Sequence, residues 1–233
     1  MIRRLAIIAL GVSGLMFADD QTRQKVQTSK TEHLDFQAGG LLRVTNSTGE
    51  LTVEGWAGPG VEITTVKSTK VEYSPQEREK ALQELDSVHI TAERQGGELV
   101  VTFPRHPDCD LDYRIKVPVD TRLDVDHRMG EVHVENLTGD IEASVRRGEI
   151  TLRLPEEGKY AINAKSNFGG VVSDFPGQEK RRFWLVGHRM ENGDSQAPHK
   201  LRLRVGYGDV IILKVRMLKL PQPLSPSPKQ DGA

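Results

Sequence analysis

The chain has 233 residues, 36% of them hydrophobic and 28% charged, which suits a folded domain with a real core and excludes a disordered chain. Its 32 basic and 33 acidic residues leave a formal net charge of −1, so no long-range field exists to gather nucleic acid or an anionic membrane. The single cysteine, Cys109, excludes an intramolecular disulfide and a Cys-rich zinc site.

At the N-terminus, Arg3 and Arg4 precede an apolar stretch from Leu5 to Phe17. That stretch is short for a membrane span and right for the apolar core of a secretory signal, with Ala18 as the expected cleavage point and residues 1–18 as the signal. An uncleaved N-terminal anchor is the alternative. Residues 19–32 carry no apolar period and read as a flexible lead-in.

From residue 33 the apolar residues alternate: Leu34 and Phe36, Leu42 and Val44, Leu51 and Val53. Gly39-Gly40 and Asn46-Ser47-Thr48-Gly49 supply turns between strands. The run Val61 to Val71 continues as a strand, with Ile63, Thr65, Lys67 and Thr69 on one face, so that strand is expected to be partly buried or twisted. Residues 74–86 break the pattern. Ser74 is the expected N-cap, Pro75 the first helical residue and Glu77 the third member of a capping box. Ala81, Leu82, Leu85 and Val88 follow at helical spacing, and the predicted helix covers an open edge or end of the sheet. Strands are predicted again at Val88 to Ala92, Leu99 to Phe103 and Tyr113 to Val117. From Lys219 onward, Pro221, Pro223, Pro226 and Pro228 mark a disordered or polyproline-like tail.

The densest pattern is a short unit of glycine, an acidic residue and alternating apolar positions. It stands at Gly130-Glu131-Val132-His133-Val134, Gly139-Asp140-Ile141-Glu142-Ala143 and Gly148-Glu149-Ile150-Thr151-Leu152, nine residues apart. Related copies begin at Gly49, Gly97 and Gly208, and Gly170-Val171-Val172 is a degenerate one. Glycine takes the turn and the next residues form a short strand, with Val132 and Val134 facing one way and Glu131 and His133 the other. One such unit buries too little to stand alone, so copies must stack on one another. The expected fold class is all-β: a β-solenoid, β-helix or β-roll-like stack of short strands with one short helix over residues 33–218. The turns before these glycines lack the oxygen ligands that calcium-binding nonapeptide solenoids require.

Taken together, the repeated unit, the stretch Gly49-Glu-Leu-Thr-Val-Glu-Gly-Trp56 and the segment Tyr113-Arg-Ile-Lys-Val-Pro118 resemble the bacterial DUF4097 family, which also carries an adhesin label. The resemblance runs from about residue 33 to about residue 215. It implies a β-solenoid-like domain outside the cytoplasm and supplies no catalytic residue. The helix near residues 75 to 86 and the Phe183 to Pro198 loop are insertions relative to the simplest pattern.

Several groups of residues are candidates for chemistry. Asp108, Asp110 and Asp112 alternate beside His106 and Cys109, and three oxygen ligands on one face suit a hard cation. A polar strand edge is the plainer expectation, and no metal or other cofactor is assigned. His127, His133, His188 and His199 have no zinc-ligand spacing and read as exposed histidines on polar strand faces. Lys180-Arg181-Arg182 with Phe183-Trp184, joined by Lys200, Arg202 and Arg204, are a candidate basic, aromatic-edged surface for a polyanion such as an envelope polymer, with a solvated strand face as the plainer expectation. Arg146-Arg147 is a turn pair. No nucleophile elbow or phosphate loop is present. The expected function is a non-catalytic, exported binding or scaffolding domain whose partner is an envelope polymer or another protein. The alternatives are a carbohydrate-active solenoid enzyme, which needs paired carboxylates across a cleft, and an anchored extracytoplasmic sensor.

Overall fold

The computed structural model describes residues 23–103, 108–181, 187–194 and 196–216. The signal segment, the Pro-rich tail, His106, Arg182, Phe183, Trp184 and the side chains of Lys180 and Arg181 lie outside what is described.

In chain order the elements are β1 (Gln24–Leu34), β2 (Leu41–Trp56), β3 (Val61–Tyr73), α1 (Arg78–Asp86), β4 (Thr91–Gln95), β5 (Glu98–Thr102), β6 (Cys109–Pro118), β7 (Arg122–Glu135), β8 (Ile141–Pro155), β9 (Tyr160–Phe168), β10 (Val171–Ser173), β11 (Gln178–Arg181), β12 (His188–Glu191), β13 (His199–Tyr207) and β14 (Val210–Val215). The strands join in one hydrogen-bonded sheet. Its centre is parallel and in register, and antiparallel strands close its ends.

The long strands β2, β7 and β8 each change phase in the middle. In β7, Leu123, Val125 and His127 are buried, then Val132 and Val134. A straight strand keeps one parity on each face, so Val132 would face solvent if β7 ran straight. A corner at residues 128–131 resets the parity, and both halves of the strand line one continuous core. The same corner lies between Ala143 and Ile150 in β8, between Val44 and Leu51 in β2, between β13 and β14, and between β9 and β10. The first halves pair as β5-β2-β7-β8-β13-β9 and the second halves as β6-β2-β7-β8-β14-β10, so the sheet makes two walls around the core.

The nine-residue period therefore works differently from the expectation. Leu123 pairs with Ile141 and Val132 with Ile150, an offset of 18 residues. Successive nine-residue units do not stack on each other. They alternate between the two walls, and every second unit stacks, because one rung of the solenoid needs two corners. Gly49, Gly130, Gly148, Gly208 and Gly169 stack in a column at one corner, with φ between +91° and +152°. Within it, a Cβ on Gly130 would lie 2.0 Å from the Gly49 carbonyl oxygen, on Gly148 1.7 Å from that of Gly130, and on Gly208 1.9 Å from that of Gly148. Only glycine lets the rungs approach this closely. Gly139 belongs to the other corner, where a Cβ would sit 2.1 Å from the Thr121 carbonyl oxygen.

Four further expectations are corrected. Residues 24–32 are not a flexible lead-in: they belong to β1, whose ladder with β3 is made by backbone groups that leave no apolar period. The helix begins at Arg78, not near Pro75, because a backbone turn from the Ser74 carbonyl to the Glu77 N–H precedes it. The Ser74 N–H and hydroxyl both donate to Glu77 Oε2, so only the reciprocal half of the capping box forms. The strand expected at Val88 starts at Thr91, while Val88 is buried at the end of the helix. Within the Phe183 to Pro198 loop, His188–Glu191 forms β12, paired with β9.

Ile63, Thr65, Lys67 and Thr69 are all buried, so the inward face of β3 is not half-exposed. The reason is α1, which packs on β1 and β3 with Ala81 and Leu85 in the core. Lys67 is 7% exposed and its ammonium donates to the carbonyls of Leu85 (2.9 Å) and Val88 (2.7 Å). A cation placed on the carbonyls at a helix C-terminus satisfies both them and the macrodipole.

Candidate functional site: a basic groove along the solenoid corner

The outward positions of the first wall form rows that cross the rungs. One row runs Arg43, Asp124, Glu142, Arg202 on β2, β7, β8 and β13. Two carboxylates, Asp124 and Glu142, stand opposite each other at its centre, and each pairs with the cation on its other side: Arg43 Nε to Asp124 at 3.1 Å and Arg202 to Glu142 at 3.2 Å. Such pairs on an exposed face are worth little each but cancel the local field.

The next row, two residues closer to the corner, runs Asp126, Ser144, Arg204, Lys165 on β7, β8, β13 and β9. Here Arg204 and Lys165 are directly opposite across adjacent strands. Like charges in that relationship destabilise a sheet. Neither of them, nor Arg146, has an ion pair with a carboxylate among the described residues. These residues line a concave groove of about 490 Å³, together with Arg128, Asn167 and Gly206. Four cationic side chains face one carboxylate there.

Four groove-lining residues at the corner are each followed in the chain by a member of an exposed row. Arg128 precedes Met129, Arg146 precedes Arg147, Gly206 precedes Tyr207 and Asn167 precedes Phe168. Met129, Arg147, Tyr207 and Phe168 are partners in register. The Phe168 and Tyr207 rings stack with centroids 4.5 Å apart and planes 5° apart, and the Arg147 guanidinium lies 5.9 Å from the Tyr207 ring centre. Phe168, Tyr207 and Met129 are each about half exposed. Positions 128–131 are solvent-facing because the corner turns them outward, which a reading of simple alternation does not reveal.

Beneath the groove lies His127, with no exposed surface. The histidines were expected on polar faces, and His127 is the exception: the parity of the first half of β7 carries it inward, in line with Val145 and Val205. Burial lowers its pKa from the usual 6.5 to about 4, against the opposing effect of backbone hydrogen bonds at Met129 and Gly49. His133 points outward, with Nε2 3.1 Å from Glu131 Oε2.

Of the other candidate residues, Asp110 and Asp112 both face outward on β6 but are engaged separately. Asp112 Oδ1 accepts the Glu50 N–H at 3.0 Å, and Asp110 lies 3.9 Å from Lys25. Among the described residues no three His, Cys, Asp or Glu side chains gather in a metal-binding arrangement. Cys109 is buried, and desolvation raises its thiol pKa. Of the basic residues singled out in the sequence, Arg204 and Arg146 meet in the groove, Arg202 is paired one row away, and Lys200 stands at the far end of β13. Lys165, Arg128 and the stacked Phe168 and Tyr207 escape sequence inspection, since only the cross-strand register brings them together.

The parallel, in-register rungs and the two-cornered core define a β-solenoid-like domain. The sequence profile of the Toastrack DUF4097 family matches residues 26–213, and the chain belongs to that family. Among solved structures it is similar to a provisionally named cell adhesion protein from Clostridium sporogenes, at 14% identity and a TM-score of 0.50, with 81% of this chain and 100% of that chain covered. A provisionally named adhesin from Bacteroides fragilis aligns at 9% identity over 80% of this chain and 97% of that chain, with a TM-score of 0.28. The first likeness shows a shared fold. No curated protein matches the chain. Among the described residues no helix is long and apolar enough to cross a membrane.

Proposed function

We propose that this chain is an exported, non-catalytic binding or scaffolding domain of the cell envelope, and that the corner groove is its binding surface. The observation that carries this reading is the opposition of Arg204 and Lys165 in a groove built by four in-register rungs. One row away the opposed carboxylates Asp124 and Glu142 each have a cation, whereas Arg204 and Lys165 have no carboxylate ion pair among the described residues, and departures of that kind mark function rather than stability. Rigid strands hold the groove side chains in place, as a binding surface requires. Export is supported by the basic and apolar N-terminal pattern at Arg3 to Ala18. A role in adhesion, after which the Clostridium sporogenes protein is named, agrees with a binding surface of this shape.

Two experiments test the reading. Fractionation of expressing cells with mass spectrometry of the N-terminus is expected to find a mature chain starting near Asp19 outside the cytoplasm. A full-length cytoplasmic product overturns export. Binding of the purified chain to an isolated envelope preparation is then compared with that of Ser144→Trp, which fills the groove from an exposed position. Loss of binding is expected. Unchanged binding, or release of new reducing ends from the preparation by the parent chain, overturns the assignment.

A further inference from the structure

We infer that the corner groove takes an acidic polysaccharide laid along the stacking axis of the rungs. This rests on the reading of the groove as the binding surface and names its ligand class.

The direction follows from the lining. Residues come from β7, β8, β13 and β9, which are successive neighbours, so the groove crosses the strands. Three inter-strand steps give it a length of roughly 14 Å. A linear polymer fits that shape better than a compact ligand.

The charge follows from the opposed cations. Arg204 and Lys165 repel each other across one inter-strand step, with Arg146 and Arg128 along the same groove. An anionic group seated between Arg204 and Lys165 replaces a repulsion by two attractions, and guanidinium groups suit planar carboxylates or phosphate oxygens.

The sugar component follows from the bordering row. Phe168 and Tyr207 stack parallel and stay about half exposed beside the cations, with Arg147 against Tyr207 and exposed Met129 continuing the row. Such a row offers apolar surface along the β13–β9 half of the groove and again at β7, with Arg147 between them on β8. A bare polyphosphate has no apolar face to cover it. A lipid surface needs a broad protruding patch, whereas these side chains edge a concavity. A sugar ring bearing an acid group supplies both faces at once, apolar C–H bonds toward the row and an anion toward the cations.

The test uses the purified full chain and four ligands: polygalacturonate, neutral dextran, inorganic polyphosphate and phosphatidylglycerol vesicles. Polygalacturonate is expected to bind at least tenfold more tightly than dextran, with affinity falling as salt rises. The double substitution Arg204→Ser with Lys165→Ser is expected to weaken polygalacturonate about tenfold or more, whereas Arg202→Ser, in the compensated row, changes it less than twofold. Phe168→Ser with Tyr207→Ser is expected to weaken polygalacturonate and leave polyphosphate unchanged. All these positions face outward, and melting temperatures within a few degrees of the parent confirm that the fold persists. Polygalacturonate binding no tighter than dextran, indifference to Arg204 and Lys165, or tighter binding of polyphosphate or vesicles overturns the ligand class. If Ser144→Trp still abolishes envelope binding while polygalacturonate fails, the groove remains the binding surface and only its ligand class falls. If Ser144→Trp leaves envelope binding intact, both readings fall.

Discussion

The carbonyl oxygen of Gly130 lies 1.7 Å from the point where a Cβ on Gly148 would stand. Gly148→Ala must therefore move one rung off the next, at a backbone conformation of φ +137° that disfavours any side chain. Its expected cost is about 3 kcal/mol or more, large for a single methyl group. Gly97, at the other kind of site, has nothing within 4 Å of its Cβ position and no unusual φ. Gly97→Ala is expected to be neutral or slightly stabilising. Paired urea melts of the two variants check this, and equal losses would mean that the glycine column is not what spaces the rungs.

Val134 has no exposed surface, while the side chain of His133 faces outward beside Glu131. Burying a carboxylate at Val134→Asp is expected to cost several kcal/mol, about 4 or more. His133→Asp is expected to cost under about 1 kcal/mol, as outward substitutions usually do. Chemical denaturation of both proteins compares them, and similar losses would show that the second half of β7 has the opposite facing.

Lys67 reaches from the sheet to the carbonyl of Leu85 in the last turn of α1 and to that of Val88 just beyond it. Lys67→Ala removes the ammonium from both carbonyls; that of Leu85 keeps the Val88 N–H at 3.2 Å, and the loss is expected to cost about 1–3 kcal/mol. Hydrogen exchange followed by mass spectrometry is expected to show faster exchange over residues 78–88, with the β7–β8 ladder nearly as protected as before. Exchange that rises uniformly across the chain would show that the contact serves the whole core and not the helix.

The buried His127 predicts a pH dependence. Its folded pKa, about 4, lies below the ordinary 6.5, so the unfolded chain binds this proton first as pH falls. Stability is complete above about pH 6.5, declines between there and about pH 4, and the total loss from this group is about 3 kcal/mol. His127→Val places at this position the residue found at Val145 and Val205 on the neighbouring rungs. It is expected to flatten the stability profile over that window, even where losing the ring's hydrogen bonds lowers stability at neutral pH. A profile with the same slope in parent and variant assigns the acid sensitivity elsewhere.

Two levels of organisation separate in this protein. Along the chain, alternation at Val132 and Val134, glycine at fixed spacing and the helical spacing of Ala81 and Leu85 are local properties, and they determine by themselves an all-β repeat with one helix. A side chain's facing follows from its nearest neighbours in sequence, which is why those features are legible. Register is not local. The ladder is made by N–H and C=O groups that every residue carries, so no residue type announces that Leu123 lies beside Ile141 and not one nine-residue unit away. Folding into two walls settled that the rung is 18 residues long, that the inward parity changes between His127 and Val132, and that Lys67 finds carbonyls from a helix. The same register set Arg204 against Lys165 and Tyr207 against Phe168, because the corner and the strand pairing, not the order of residues, decide which distant side chains share a surface.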